Sequence, residues 1–209
     1  LEGLNPEQRR AVETTEGPVL VLAGAGTGKT RVITVRIGHL VAKGVDPSSV
    51  LAMTFTNKAA QEMRERVAGT AGPEAAKRLT VGTFHAFCVR VLREHAALLG
   101  YPPNFSICDD SDQLAAVKSV MRELRVPDAV MHPNVVKSRI SLAKNRMQSW
   151  ESPDDSYGGE LVARAWKRYD EQLRRARTMD FDDLLVKTLE LLRTHREVRD
   201  RLRARFRYL

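Results

Sequence analysis

The chain has 209 residues, 43% of them hydrophobic, 29% charged and 6% aromatic. That is the composition of a globular protein with enough length to bury a core, and it excludes a collagen-like or low-complexity polymer. Apolar runs such as residues 19–23 are far too short to span a bilayer, and the opening residues lack a signal-peptide pattern. Two cysteines, Cys88 and Cys108, make neither a disulfide framework nor a metal-ligand spacing. A protein of the reducing cytoplasm, with no membrane partner, is therefore expected. The net charge of +8 and a pI near 9.8 favour a polyanionic partner. The excess is +4 in residues 1–100 and +4 in residues 101–209, so any anion site has to be built by folding rather than by a basic tail.

In chain order, residues 18–23 read as a buried strand that breaks into a glycine-rich turn. The helix after it carries Ile33, Ile37, Leu40 and Val41 on one face. A second strand is predicted over residues 50–56, a helix through Met63 and Val67, a loop over 69–73, and a third strand over 79–83. The next helix carries Phe84, Phe87, Cys88, Val91 and Leu92 at helical spacing. Alternation of this kind builds a parallel sheet covered on both faces. Gly100, Pro102 and Pro103 break the pattern, and from there to about Thr178 only helical periodicities remain. One holds Leu114, Val117, Met121 and Leu124; the next Val136, Ile140, Ala143 and Met147; the third Val162, Trp166, Tyr169 and Leu173. Residues 149–159 read as a polar loop. A last long helix starts at Asp180, with Phe181, Leu184, Leu185, Leu189 and Leu192 on its face, and a short one holds Val198, Leu202 and Phe206.

The strongest motif is Ala23-Gly24-Ala25-Gly26-Thr27-Gly28-Lys29-Thr30. It is a P-loop with alanine in place of the usual first glycine. Glycines allow backbone N–H groups to wrap a phosphate, and the helix that follows adds its partial positive charge. Lys29 can reach the β- and γ-phosphates, and the Thr30 hydroxyl can ligate Mg²⁺. The implied cofactors are ATP and Mg²⁺.

Four more segments accompany the P-loop: Leu4-Asn5-Pro6-Glu7-Gln8, Thr54-Phe55-Thr56-Asn57-Lys58, Gly82-Thr83-Phe84-His85 and Met179-Asp180-Phe181-Asp182-Asp183-Leu184. Together and in this order they resemble the superfamily 1 DNA helicases of the UvrD, Rep and PcrA type, over essentially the whole chain. The resemblance implies an α/β fold, a RecA-like P-loop NTPase with a parallel sheet and an inserted all-helical subdomain. Its boundaries would be an ATP-binding core over 1–103, a helical insertion over 104–178, and a return into the core over 179–209. It also implies an ATP-dependent helicase moving 3′ to 5′ on single-stranded DNA and meeting duplex junctions. Two rivals are the helicase part of a helicase–nuclease subunit and a stand-alone nucleotide- or nucleic-acid-binding module.

The resemblance assigns roles by residue. Gln8 reads the ATP base, which suits an amide that donates and accepts at once. Arg31 and Arg66 lie near the nucleotide, where a guanidinium suits phosphate; for Arg66 an ordinary surface arginine is an equal reading. Phe55, Thr56, Asn57, Thr83 and His85 line the single-stranded DNA track, with Phe55 stacking on a base. Phe84 fits either that track or the apolar face of its helix. Asp180 reads as a helix N-cap with Asp182 and Asp183 in a favourable first turn, rather than as a metal site. The basic residues of the helical insertion, among them Lys137, Arg139, Lys144, Arg146, Lys167 and Arg174, are candidates for DNA contact or for a solvated face.

In the resembled family the segment after Arg207-Tyr208-Leu209 enters a strand ending in Asp-Glu, and a second motor domain follows. Without them the sheet is expected to be incomplete beside the P-loop strand. These 209 residues are expected to bind nucleotide weakly and hydrolyse almost nothing, and the missing C-terminal part is an implied partner.

Overall fold

The structure is a computed structural model that describes residues 1, 3–151 and 158–209. The polar loop expected over 149–159 falls mostly outside the described residues. The chain forms two compact units, Leu1–Phe84 with Arg199–Leu209, and His85–Val198. Both mix helices with a small parallel sheet.

In the first unit, helix α1 (Pro6–Glu13) starts at a capping box. The Asn5 side chain accepts from the Gln8 N–H at 2.8 Å, and Gln8 Oε1 accepts from the Asn5 N–H at 3.1 Å. Helix α2 (Lys29–Ala42) buries Val32, Thr34, Ile37 and Leu40. Arg36 on α2 donates to the carbonyls of Ala11 and Thr14, which ties the end of α1 to α2. Strand β1 (Leu51–Thr54) pairs in parallel with β2 (Thr80–Thr83), Leu51 opposite Thr80 and Thr54 opposite Thr83. Between them run α3 (Asn57–Ala71) and α4 (Pro73–Arg78). The apolar face of α3, with Ala60, Met63 and Val67, packs with Ile37, Ala52 and Val81 into the core. The loop expected over 69–73 is shorter than the sequence suggests: α3 runs on to Ala71, and Gly72 alone makes the turn, with φ of +90°.

Residues 18–23 correct the sequence reading. They form no strand, and Leu20 and Leu22 are 84% and 87% exposed. A strand is a property of a pair, and the apolar pattern alone cannot supply the neighbour. The β1 edge opposite β2 is met only at its start, where the Leu51 N–H donates to Tyr208 O at 2.8 Å and Val50 bridges Tyr208 in parallel. Beyond that point a cavity of about 600 Å³ opens, lined by Val19, Val21, Val32, Ile37, Leu51 and Met53. The sheet of this unit is therefore two-stranded, and the 18–23 run lies along the cavity without a ladder.

The second unit takes in all of helix α5 (Phe84–His95) after its first residue. It also holds strand β3 (Ser106–Ile107), α6 (Asp110–Glu123), α7 (Pro133–Asn145), α8 (Gly159–Arg175), strand β4 (Thr178–Met179) and α9 (Phe181–Thr194). Helix α10 (Arg196–Arg205) begins here and ends in the first unit. Most of the predicted α6, α7 and α8 face is buried, with Val117, Met121, Val136, Ile140, Val162, Trp166, Tyr169 and Leu173 in the core, but Met147 lies beyond the end of α7 and is 43% exposed. Burying side chains of this size stabilises by about 1.5–3 kcal/mol each. The parallel pairing of β3 with β4 was not anticipated, because two residues are too few to show a period. A second core gathers Cys88, Leu92, Phe105, Met179 and Leu184. Both cysteines are free and buried, and burial pushes the Cys108 thiol up to about 11. No described helix is long and apolar enough to cross a membrane.

Candidate nucleotide and nucleic-acid sites

The glycine-rich loop of residues 23–28 meets α2 at Gly28, whose φ of +83° places it in the left-handed region. Gly26 also has positive φ, at +76°. At Gly28 a β-carbon would in addition stand 3.3 Å from the Gln8 amide nitrogen. Glycine is needed there for both reasons. No side chain caps the start of α2, and its first turn contains no acid. The N–H groups and the helix dipole at this end therefore favour an anion. Lys29 is exposed, and its ammonium donates to Ala23 O at 3.1 Å and Gly24 O at 2.5 Å. Thr27 Oγ1 donates to Gly24 O at 2.8 Å. The loop thus closes on its own carbonyls, with its lysine over the turn and not in an apolar interior.

Gln8 Nε2 donates to Thr27 O at 3.0 Å. The capping box that starts α1 thus also aims the Gln8 side chain at the loop, and it brings Gln8 together with residues 27–29. Thr30 sits half-buried in the first turn of α2. Arg31 is exposed and lies against Gly3, where an added β-carbon would be 2.7 Å from its guanidinium. Arg66 is on α3, half exposed and 3.8 Å from Glu62, an ordinary surface pair.

At the far end of β1, Phe55 is 89% exposed. Its ring lies 5.5 Å from that of Phe84, which is 38% exposed, so Phe84 is not fully taken into a core. Thr56 caps α3 by accepting from the Ala59 N–H at 3.1 Å, and Asn57 is the exposed first residue of that helix. Thr83 is buried at the end of β2. Both strand ends thus deliver their motifs to the carboxyl edge of the sheet, where open α/β sheets bind ligands.

In the second unit His85 is half-buried and meets the ring of Phe181 edge-on, 5.6 Å away at 74°. Phe181 corrects the sequence reading, which put it on the apolar face of its helix: it is 51% exposed. The signal was available, because a residue between an N-cap and an acidic first turn precedes the helical stripe. Asp180 is the N-cap as expected, accepting from the Asp183 N–H at 2.7 Å in a full capping box.

Lys144 is a second correction. It is 3% exposed and cannot face DNA. Its ammonium contacts Asp183 Oδ1 at 2.8 Å, Asp180 Oδ2 at 2.9 Å and Asp170 Oδ1 at 3.3 Å. Tyr169 donates its hydroxyl to Asp180 Oδ2 at 2.8 Å, and Gln113 Nε2 donates to the same oxygen at 3.3 Å. The neighbouring carboxylates hold Lys144 above its usual value against the opposing effect of burial. Burial pushes Asp183 up to about 6 despite the ammonium beside it. Lys137, another candidate DNA contact, pairs with Asp110 at 2.6 Å. Among the described residues no group of three or more His, Cys, Asp or Glu could hold a metal ion.

Comparison with known proteins bears on the family of the chain. The chain is 42% identical over 213 residues to the ATP-dependent DNA helicase PcrA of Bacillus subtilis, covering all of this chain and 29% of that protein. It is 42% identical to the PcrA of Leuconostoc citreum, across 99% of this chain and 28% of that protein. For a Staphylococcus aureus PcrA the figures are 41%, 100% and 29%. The chain thus spans less than a third of the length of these relatives. Residues 4–209 match the UvrD/REP helicase N-terminal domain. The chain belongs to that family.

Proposed function

We propose that the chain is the amino-terminal ATP- and single-stranded-DNA-binding part of an ATP-dependent DNA helicase of the cytoplasm, one that steps 3′ to 5′ and meets duplex junctions. Residues 1–103 and 179–209 would build a RecA-like core and residues 104–178 its helical insertion. The observation that carries the reading is the start of α2. There an uncapped helix end, two left-handed glycines and an exposed lysine converge on one turn.

The residues fit a nucleoside triphosphate. Residues 24–28 offer backbone N–H groups, and Lys29 supplies a mobile cation that exchanges its carbonyl contacts for phosphate oxygens. Gln8 reaches the loop from α1, which supports a role in selecting the base. Arg31 adds a second cation, and Arg66 is the outlying member of the set. Mg²⁺ on the phosphates would neutralise charge there, and Thr30 is the protein hydroxyl nearest that role by position in the motif.

Phe55 with Phe84, and Phe181 with the half-buried His85, form two aromatic pairs whose phenylalanines are exposed. Aromatic faces stack on bases without reading sequence, which suits a protein that moves along a strand. Thr56 and Asn57 supply polar groups at the tip of β1, with Thr56 already engaged as a cap, whereas Thr83 is buried and offers little to a strand. The test is binding of an oligodeoxythymidylate to this chain across a salt series. Affinity should fall linearly on logarithmic axes, as phosphate contacts release counterions. Binding that ignores salt, or none at any salt, contradicts the nucleic-acid half of the proposal.

A further inference from the structure

The nucleic-acid reading leaves unexplained why the second unit buries a lysine among three carboxylates. Lys144 on α7 reaches Asp180 and Asp183, which are the N-cap and third residue of α9. The same two aspartates bond each other's backbone N–H groups, at 2.7 Å and 3.3 Å. Tyr169 from α8 and Gln113 from α6 add bonds to Asp180 Oδ2, and Asn145 Nδ2 from α7 donates to Asp182 Oδ1 at 3.0 Å. Three helices thus converge on one turn. The residue in that turn that none of these bonds engages is Phe181, whose half-exposed ring stands edge-on to His85.

A capping box alone holds a helix start, and many helices begin on a surface with nothing more. Lys144 adds a constraint of another kind. Two carboxylates both within 2.9 Å of one ammonium repel each other once it is gone. Relief would come through proton uptake by one aspartate or through movement of the 180–183 backbone; either way the ammonium that ties Asp180 to Asp183 is lost, and that backbone sets where the Phe181 ring points. An aromatic ring held in place before binding also loses less freedom on stacking than a mobile one.

We propose that Lys144 is a positioning residue for nucleic acid: by clamping Asp180 and Asp183 it fixes the first turn of α9 so that Phe181 is held out for a base beside His85. The inference rests on the aromatic-track reading above.

The experiment uses the whole chain and an oligodeoxythymidylate carrying one 2-aminopurine, whose fluorescence is quenched by stacking. Phe181→Ala should lose the Phe181-dependent quench and weaken binding on the order of tenfold. Lys144→Met should lose most of the same quench and weaken binding severalfold. The salt slope should stay as in the unaltered chain, since no phosphate contact is removed. In the double variant Lys144→Met should add nothing further, because its effect runs through the absent ring. Should Lys144→Met fail to fold, Tyr169→Phe, which removes one bond to Asp180, is measured by the same criteria. A folded Lys144 or Tyr169 variant with unchanged quench, or losses that simply multiply with Phe181→Ala, overturns the positioning role. An unchanged Phe181→Ala overturns the track reading at this residue instead.

Discussion

Asp183 gives the chain an unusual dependence of stability on pH. Its carboxyl is raised from the ordinary 3.8 to about 6 by burial, with Lys144 opposing and Asp180 and Asp170 reinforcing. A group whose folded value lies above its unfolded value binds its proton more tightly in the folded state. Its contribution is fully present below the unfolded value and is lost as pH rises through about 4 to 6. The whole difference is worth a few kcal/mol, and a substantial part of it should be recovered on moving from pH 7.5 to pH 5. Asp183→Asn removes the titration. It also removes one acceptor, since Oδ1 takes Lys144 and Oδ2 takes the Asp180 N–H, so a fixed loss of about 1–3 kcal/mol is expected at every pH. Urea denaturation of both forms at several pH values separates the two effects. The gap between them should widen as pH falls from 7.5 to 5. A gap that stays constant, or narrows, refutes the assignment of that titration to Asp183.

Three further outcomes follow from the geometry. Phe55→Ala should leave stability within about 0.5 kcal/mol, because the ring is 89% exposed, yet weaken single-stranded DNA binding by about 1–3 kcal/mol; denaturant midpoints and anisotropy titrations check the pair. Gly28→Ala should cost about 1–2 kcal/mol of stability for its left-handed φ, and should lower nucleotide affinity by crowding Gln8, as a thermal scan and a nucleotide titration will show. Amide exchange at residues 19–22 should be nearly unprotected, while Ala52 and Gly82, whose N–H groups face into the β1–β2 ladder, exchange slowly; equal protection would mean that the 18–23 run is paired in solution.

Local chemistry was readable wherever a short stretch carries its own reason. Asp180 announces an N-cap and is one, and the glycine-rich run of residues 24–28 announces a turn before a helix and forms one, with Gly28 left-handed at the start of α2. The apolar stripe from Val162 to Leu173 likewise fixed the buried face of α8. What failed depended on distant partners. Residues 18–23 have the apolar content of a buried strand, but pairing is decided by what lies alongside, and β1 is met there only by Tyr208. Lys144 looks like any basic helix residue until Asp170, Asp180 and Asp183, far along the chain, converge on it. Phe181 misled for the opposite reason: an apolar residue beside a helical stripe reads as core, whereas its place at the helix start turns it outward.

The central claim is that the turn between residues 23 and 30 grips a triphosphate. Calorimetric titration of the chain with a non-hydrolysable ATP analogue and Mg²⁺, set beside Lys29→Ala, tests it most directly. Lys29 is exposed and among the described residues bonds the carbonyls of its own loop, so the variant should keep its thermal transition. Saturable binding in the unaltered chain, lost in the variant, is the predicted result. Equal binding by both folded forms, or no heat from either at millimolar nucleotide, contradicts the account.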